Sequence, residues 1–314
     1  MTTTDSSLDT AGPAGPAGPA GPAGPAGPAT TDVRPEVTDA DVHRSVRADA
    51  AGASRLAARQ VSLGYGERPV VEGLDVSVPT GRITAIVGSN GCGKSTLLRG
   101  LSRLLKPAAG QVLLDGKSIH DRSTKEVARV VGLLPQSPIA PEGITVTELV
   151  SRGRHPHHGL LRQWSRADDE AIARALELTG TTELAHRDVD ALSGGQRQRV
   201  WIAMVLAQQT DLLLLDEPTS FLDIAHAVEL LDLVTDLNGH GATVVMVLHD
   251  LNLAARYAHH VVAMCDGRIV REGTPAEVVT ADVVEEVFGV PCQVVDDPVA
   301  GSPLVVPIGR HHRG

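Results

Sequence analysis

Cysteine is scarce in this sequence, and the few cysteines are far apart. The chain has 314 residues but only three cysteines, Cys92, Cys265 and Cys292. Their odd number and wide spacing exclude a disulfide framework and a cysteine-based metal motif. We therefore expect a protein of the reducing cytoplasm.

Long apolar runs and a surplus of basic residues are also absent. The longest purely apolar runs, such as residues 212–215 and 244–248, are far shorter than the roughly 18 residues that a membrane span needs. The opening segment MTTTDSSLDT has neither a basic nor an apolar region, so we expect no secretory signal. The formal net charge of −10 disfavours a nucleic-acid binder, because such proteins usually carry a basic surplus.

The first 59 residues differ in composition from the rest of the chain. Residues 12–29 repeat Gly-Pro-Ala six times, and residues 30–59 are polar, charged and rich in alanine without an apolar period. Glycine at every third position is the collagen pattern, but six triplets are few for a stable triple helix. We interpret residues 1–59 as a flexible, polyproline-like extension, with a collagen-like segment as the alternative.

From Gln60 onward, the apolar residues follow the periods of strands. The segments RQVSLGYG and LDVSVPT alternate apolar and polar residues and predict antiparallel edge strands, whereas ITAIVG, DLLLLDEP and ATVVMVLHD predict buried strands. QVLLDGKSI predicts a hairpin that turns at Asp115 and Gly116.

Helices are predicted between the buried strands. Leucines recur at helical spacing from Leu97 to Leu105, and Pro107 is predicted to end that helix. SRADDEAIARALELTG predicts a helix within a mainly helical insertion, and further helices follow LSGGQ and start at Ile224, the latter with an apolar stripe that extends to Val234. Alternating strands and helices predict an α/β fold with a parallel sheet covered on both faces.

The segment GSNGCGKS matches the P-loop pattern G-x-x-x-x-G-K-[ST] at every fixed position. It follows a predicted buried strand and precedes a predicted helix, as this motif requires. Its glycines let backbone N–H groups surround phosphate oxygens, while Lys94 reaches the outer phosphates and the Ser95 hydroxyl binds Mg²⁺. The residues predicted to bind nucleotide here are Gly88, Ser89, Asn90, Gly91, Cys92, Gly93, Lys94, Ser95 and Thr96.

Polar residues that follow apolar segments are the candidates for catalysis. Asp216 and Glu217 end the strand in LLLLDE, at the sheet edge where ligands of α/β proteins bind. Asp216 is predicted to hold Mg²⁺, and Glu217 to polarise the attacking water as general base. His249 is predicted to contact the γ-phosphate and orient the water, and Gln136 to reach both Mg²⁺ and the water. Tyr65 offers an aromatic face that can stack on adenine.

In order and spacing, Tyr65, GSNGCGKST, Gln136, LSGGQ, LLLLDEPTSFLD and His249 resemble an ABC-type ATPase cassette over roughly residues 60–290. The resemblance implies the ABC-ATPase form of the P-loop NTPase fold, with an antiparallel β edge subdomain, a helical subdomain at about 138–193 and a C-terminal extension at 291–314. It also implies that LSGGQ caps the nucleotide held by the P-loop of a second, facing copy. The residues assigned to that contact are Ser193, Gly194, Gly195, Gln196 and Asp223.

Longer segments, among them SRGRHPH, GGQRQRVWIAMVLAQQT and DDPVAGSPLVVP, resemble the ATPase subunits of bacterial ferric-siderophore importers. This resemblance implies ATP and Mg²⁺ as cofactors, and a homodimer docked on two membrane permease subunits at the cytoplasmic face of the membrane. It further implies an extracytoplasmic siderophore-binding protein that delivers the iron chelate.

Several alternative functions stay open at this point. The chain could serve a heme or cobalamin importer, an exporter, or a soluble nucleic-acid or ribosome-associated ABC ATPase. The last class usually has two cassettes or a long coiled-coil insertion, whereas this chain has one cassette without sustained heptads and an acidic net charge. We therefore expect no nucleic-acid partner.

Overall fold

The computed structural model describes residues 54–66, 68–159 and 164–311, so most of the predicted tail, with its Gly-Pro-Ala repeats, lies outside the described residues. In these ranges the strands are β1 (Leu56–Tyr65), β2 (Arg68–Val78), β3 (Ile83–Gly88), β4 (Ala109–Leu114), β5 (Lys117–Ser118), β6 (Val131–Leu134), β7 (Leu212–Asp216), β8 (Thr243–Val247), β9 (His260–Cys265), β10 (Arg268–Gly273), β11 (Cys292–Asp296) and β12 (Pro303–Pro307). The α-helices are α1 (Lys94–Leu101), α2 (Thr124–Ala128), α3 (Val146–Ser151), α4 (Arg166–Leu178), α5 (Gly194–Ala207), α6 (Ile224–Gly239), α7 (Leu251–Tyr257), α8 (Pro275–Val278) and α9 (Ala281–Phe288). Short 3₁₀ turns occupy Ile119–Asp121, Arg152–His157, Thr182–Leu184 and Val189–Ala191.

The central sheet carries the carboxyl ends of five neighbouring parallel strands on one edge. Within the described ranges its strand order is β10-β9-β3-β8-β7-β6, and only the β9–β10 pair is antiparallel. Leu213 and Leu215 of β7 face one hydrophobic cluster, and Leu212 and Leu214 face the other. Helices α3 to α9 contribute to the first cluster, while α1 and a second sheet contribute to the second. The predicted parallel sheet with both faces covered is confirmed.

The second sheet is antiparallel, with the strand order β2-β1-β4-β5 in the described residues, and confirms the predicted β edge subdomain. β1 begins at Leu56, earlier than the predicted start at Gln60, because Leu56 and Ala58 are fully buried against β2 and β4. Asp115 and Gly116 both adopt positive φ angles, of 50° and 73°, as a two-residue hairpin turn requires. The predicted hairpin is therefore confirmed.

Helix α1 is shorter than the leucine spacing predicted, since it ends at Leu101 and not at Pro107. Beyond it, Arg103 has a φ of 68° and Leu104 is exposed. The Ala108 N–H donates to the Ser62 carbonyl at 2.9 Å, so the chain turns early to bring β4 against β1. A long-range strand contact thus overrides the local helical period.

Helix α6 buries only Leu231 and Val234 of the predicted apolar stripe of Ile224, Val228, Leu231 and Val234. Ile224 was expected on the buried stripe, but it is exposed at the start of the helix. The buried positions are Ala227, Leu230, Leu231 and Val234.

The predicted helical insertion is present, and a buried ion pair joins its parts. Arg154 Nε lies 2.9 Å from Asp168 Oδ1 at the start of α4, and Arg154 Nη1 donates to the Ala207 carbonyl of α5 at 2.8 Å. The side chains of Arg154 and Asp168 are only 5% and 2% exposed. Burial works to raise the pKa of Asp168, but hydrogen bonds from Ser165 and Arg154 outweigh it and hold that pKa well below its ordinary value.

Replacing Arg154 is expected to destabilise the helical insertion strongly. In Arg154→Ala the Asp168 carboxylate stays buried without its cation, which we expect to lower the free energy of unfolding by about 3 kcal/mol. Urea unfolding of the full chain measures this loss. Arg166→Ala is the matched control, because the Arg166–Glu170 pair has the same 2.9 Å separation but is 92% and 64% exposed. Equal urea midpoints for the two variants would contradict the prediction.

The predicted C-terminal extension, residues 291–314, contains a hairpin. The structure describes this segment as far as residue 311. β11 and β12 pair antiparallel from Cys292↔Pro307 to Asp296↔Pro303. The hairpin packs on α7 and α9, and on Val279 just after α8, through a small hydrophobic cluster. Among the described residues, no helix combines the length and apolarity needed to cross a membrane.

Candidate active site

The loop between β3 and α1 has the backbone shape of an anion-binding loop. Gly88 and Gly93 have φ angles of 152° and 104°, which residues other than glycine rarely adopt. A Cβ on Gly88 would also come within 2.2 Å of the Met264 carbonyl oxygen. The loop leads directly into the N-terminus of α1, whose free N–H groups favour an anion there.

Three side chains in this loop and in the first turn of α1 are buried. Lys94, only 5% exposed, donates from Nζ to the carbonyls of Gly88 and Ser89 at 2.8 and 2.9 Å. Cys92 packs into the core, where burial raises the pKa of its thiol, so it can offer a ligand only its backbone. Thr96 is buried in α1.

Ser95 and Asp216 bring two oxygen donors together at the start of α1 and the end of β7. The Ser95 hydroxyl donates to Asp216 Oδ1 at 2.8 Å. Burial raises the pKa of Asp216, while the hydrogen bond from Ser95 works in the opposite direction. Hydroxyl and carboxylate oxygens are the ligands that Mg²⁺ prefers, so this pair fits the predicted metal.

Glu217 lies at the centre of a cluster of three predicted catalytic residues. Its Oε1 lies 2.7 Å from His249 Nε2, and Gln136 hydrogen-bonds to the same carboxylate. Burial works to raise the pKa of Glu217, but the hydrogen bonds with His249 and Gln136 lower it below its ordinary value. The carboxylate is therefore ionised at neutral pH and able to accept a proton.

Sheet topology explains why these residues meet. The glycine loop follows β3, Glu217 follows β7, His249 follows β8, and Gln136 follows β6. These four strands are parallel neighbours, so their carboxyl ends share one edge of the sheet, where α/β proteins bind ligands.

The backbone of Glu217 is strained. Its φ of 52° is unusual for a residue with a side chain, and such strain persists where the surrounding structure enforces it. Ser220, in the same turn, donates from its hydroxyl to Glu217 Oε2 at 3.1 Å. No pattern in the sequence predicted Ser220, because its contact with Glu217 depends on the turn at this positive φ.

Tyr65 lies at the end of β1, on the same side of the molecule as Arg99 of α1. Arg99 Nη1 donates to the Tyr65 hydroxyl at 2.8 Å, a contact that the sequence did not reveal. Because the Tyr65 side chain is 50% exposed, part of its surface is available for stacking.

A second group of predicted residues forms an exposed surface around the N-termini of α5 and α6. Ser193 caps α5: its Oγ accepts from the Gln196 N–H at 3.3 Å, and its own N–H donates to Gln196 Oε1 at 3.1 Å. Asp223 caps α6 by accepting from the His226 N–H at 2.9 Å. We call residues 193–196 and 221–224 the signature surface.

Two large apolar side chains lie on the signature surface. Phe221 and Ile224, on either side of Asp223, are 82% and 86% exposed. An ideal Cβ on Gly194 would lie 4.0 Å from the Phe221 Cβ, and one on Gly195 would lie 3.5 Å from a Leu222 methyl group. Adjacent exposed apolar side chains are typical of a protein–protein interface.

The signature surface is also connected to the turn that carries Glu217. The buried amide of Gln198, on α5, donates to the Pro218 carbonyl at 3.0 Å. No sequence signal marked Gln198, because the contact depends on how α5 packs against the end of β7.

Comparison with known proteins finds one family and relatives that cover most of the chain. Residues 71–220 match the ABC transporter family. The ferric enterobactin transport ATP-binding protein FepC of Escherichia coli K12 is 56% identical over 258 residues, which cover 82% of this chain and 95% of FepC. The achromobactin transport ATP-binding protein CbrD of Dickeya dadantii is 53% identical over 81% of this chain and 95% of CbrD. The hemin import ATP-binding protein HmuV of Myxococcus xanthus is 41% identical over 81% of this chain and 97% of HmuV.

Solved structures give the same result for the fold. An ABC transporter described as metal-chelate type, in an inward-facing conformation, superposes with a TM-score of 0.70 at 28% identity, covering 82% of this chain and 98% of that chain. The dimeric bacterial ABC transporter cassette MJ0796 superposes with a TM-score of 0.64 at 28% identity, covering 70% of this chain and 98% of that chain. The predicted fold class is confirmed.

Proposed function

This chain belongs to the ABC transporter family as an ATP-hydrolysing subunit, and we propose that it powers the uptake of ferric siderophores across the cytoplasmic membrane. The 56% identity with FepC over 95% of that protein carries the choice of substrate class. Identity with the hemin import protein HmuV is lower, at 41%, so a heme importer is the weaker candidate.

We assign ATP binding to the glycine loop and to Tyr65. Backbone N–H groups of residues 88–93 and the N-terminus of α1 surround the phosphates, and Lys94 moves from the Gly88 and Ser89 carbonyls to the outer phosphates. Tyr65 stacks on the adenine.

Hydrolysis is assigned to the cluster at the edge of the sheet. Glu217 accepts a proton from the attacking water, His249 holds that carboxylate and contacts the γ-phosphate, and Gln136 orients the water. Ser95, Asp216 and Gln136 would hold Mg²⁺, which supplies positive charge against the phosphate oxygens when bound.

Two copies of the chain complete two sites. Ser193, Gly194, Gly195 and Gln196 of one copy cap the ATP on the P-loop of the other, and Asp223 lies across the same interface. The exposed apolar residues Phe221 and Ile224 beside these groups support this dimer, and so does the similarity to a dimeric cassette.

The remaining partners follow from the role as an importer subunit. The homodimer docks on two membrane permease subunits at the cytoplasmic face of the membrane, and the helical insertion, with the loop after Gln136, meets the permease. An extracytoplasmic siderophore-binding protein delivers the iron chelate. Nucleic acid has no place in this cycle, in keeping with the net charge of −10.

Uptake of radiolabelled ferric siderophore tests the substrate class. Iron-starved cells that carry the wild-type chain as their only copy are expected to accumulate the label, while cells that carry Glu217→Gln do not. Labelled hemin and cobalamin serve as parallel substrates, with immunoblots to match protein levels. Unchanged siderophore uptake in the variant, together with lost hemin or cobalamin uptake, would overturn the siderophore assignment and leave the ATPase standing.

A further inference from the structure

The C-terminal hairpin, β11 and β12, packs directly on the helix that follows His249. Val294 and Val305 on its inner face join Ala255 of α7 in a hydrophobic cluster that is separate from the two large ones. α7 begins at Leu251, two residues after His249. The hairpin therefore contacts the element that continues the chain from a candidate active-site residue.

Helix α7 depends on its neighbours for its position. It has only seven residues, and a helix of that length is not stable in isolation. Asp250 caps it by accepting from the N–H groups of Asn252 and Leu253 at 2.8 and 3.0 Å, which fixes the first turn but not its place on the protein. Contacts with the rest of the chain must determine where α7 lies.

Asn252 joins the first turn of α7 to the hairpin with both ends of its side-chain amide. Its Nδ2 donates to the Val305 carbonyl at 3.3 Å, and its Oδ1 accepts from the Val305 N–H at 2.8 Å. These two hydrogen bonds bridge residues that are 53 positions apart in the sequence. A paired contact of this kind fixes orientation as well as distance.

A second attachment lies near the other end of α7. Arg256 donates from Nε and Nη2 to Asp297 Oδ2 at 2.9 and 2.6 Å. Asp297 is buried, and its Oδ1 accepts from the Val299 N–H at 2.9 Å, so the same carboxylate closes the hairpin turn. Both ends of α7 are thus attached to the hairpin.

We call the two attachments of α7 to the hairpin, Asn252–Val305 and Arg256–Asp297, the clamp. Along the chain, His249 lies between the central sheet and this clamp. On the sheet side, the Leu248 N–H donates to the Ile86 carbonyl at 3.1 Å. On the other side, the backbone continues into α7 and its attachments. The His249 side chain is 45% exposed, and its reach to Glu217, 2.7 Å from Nε2 to Oε1, depends on where this backbone is held.

We propose that Asn252 is a positioning residue for ATP hydrolysis, because by attaching α7 to the C-terminal hairpin it holds His249 against Glu217. This inference rests on the proposed role of His249 in hydrolysis. Apart from the γ-phosphate contact proposed for His249, the proposed phosphate-binding groups lie in the loop between β3 and α1 and in the first turn of α1. We therefore expect Asn252 to affect turnover far more than ATP binding.

Steady-state ATPase kinetics of the full chain test the proposal. Asn252→Ala is expected to lower kcat about tenfold, as the displacement of a catalytic group does, with the KM for ATP changed by less than about twofold. Asn238→Ala is the matched control: it removes a 2.7 Å hydrogen bond from Nδ2 to the Ala242 carbonyl at the end of α6, and kcat is expected to stay at the wild-type value.

A double-mutant cycle with His249→Ala separates positioning from general destabilisation. His249→Ala alone is expected to lower kcat, and adding Asn252→Ala should lower it no further, because the group being positioned is already gone. Wild-type kcat in Asn252→Ala, or an equal loss from Asn252→Ala in both backgrounds, would overturn the inference.

Two further results keep the outcomes distinct. If His249→Ala alone retains the wild-type kcat, the proposed role of His249 fails, and this inference fails with it. If Asn252→Ala does not fold, Arg256→Ala enters the same cycle. It removes only the attachment farther from His249, so we expect a smaller loss of kcat that again disappears in the His249→Ala background.

Discussion

Purified Glu217→Gln chain is expected to hydrolyse ATP at least about 100-fold more slowly than the wild type while binding ATP with unchanged affinity. Glutamine has the same shape as glutamate, so the contacts with His249 and Ser220 have room to persist. It cannot accept a proton from water, and the P-loop that binds the phosphates is untouched.

The lowered pKa of Glu217 shows which changes of ATPase activity with pH can be assigned to this residue. Hydrogen bonds with His249 and Gln136 outweigh burial and hold its pKa below its ordinary value. The carboxylate would become protonated only as the pH falls through that lowered pKa. A change in wild-type activity between pH 6 and 8, about two to four units above the ordinary pKa of glutamate, therefore belongs to another group.

Glu217→Gln should also change the assembly of the chain, because ATP stays bound without being hydrolysed. If the signature surface of one copy caps the ATP of the other, Glu217→Gln should accumulate as a dimer when ATP is added, and light scattering measures this. Glu229→Gln on α6 removes the same charge from an exposed site and should keep both wild-type turnover and reversible assembly. Wild-type turnover in Glu217→Gln would show that Glu217 is not the base.

The sequence predicted those parts of the site that are contiguous or that end buried strands. The glycine loop is one eight-residue motif, and Asp216–Glu217 and His249 come at the ends of apolar runs that predict buried strands. Parallel strands end at one edge, so their proximity could be expected before any coordinates. The contact between Ser220 and Glu217 could not, because it depends on the strained turn at Glu217.

The elements that were predicted at the wrong place, or not predicted at all, depend on contacts between residues far apart in the sequence. The period of leucines continues past Leu101, but the pairing of β4 with β1 ends α1 there. The C-terminal hairpin has only two short strands, and its attachment to α7 joins Asn252 to Val305 across 53 positions. Local patterns carry no information about such contacts, so the clamp behind His249 could be found only in the structure.

Lys94→Ala is expected to fail one step earlier than Glu217→Gln, at ATP binding itself. In the wild type the side chain is buried, and its ammonium group donates to the Gly88 and Ser89 carbonyls of the loop that we propose binds the phosphates. Removing it eliminates charge-assisted hydrogen bonds to the phosphates, and we expect the affinity for ATP to fall roughly 100-fold.

Thermal unfolding with and without ATP separates lost binding from lost folding. Ligands that bind only the folded chain raise its melting temperature, so the wild type and Glu217→Gln should be stabilised by ATP while Lys94→Ala is not. Lys106→Ala, which removes an exposed lysine just beyond α1, should respond like the wild type. If bound ATP closes the dimer, as proposed, Lys94→Ala should also stay monomeric where Glu217→Gln dimerises. An ATP-stabilised Lys94→Ala chain would mean that the backbone of the glycine loop binds the phosphates without the lysine.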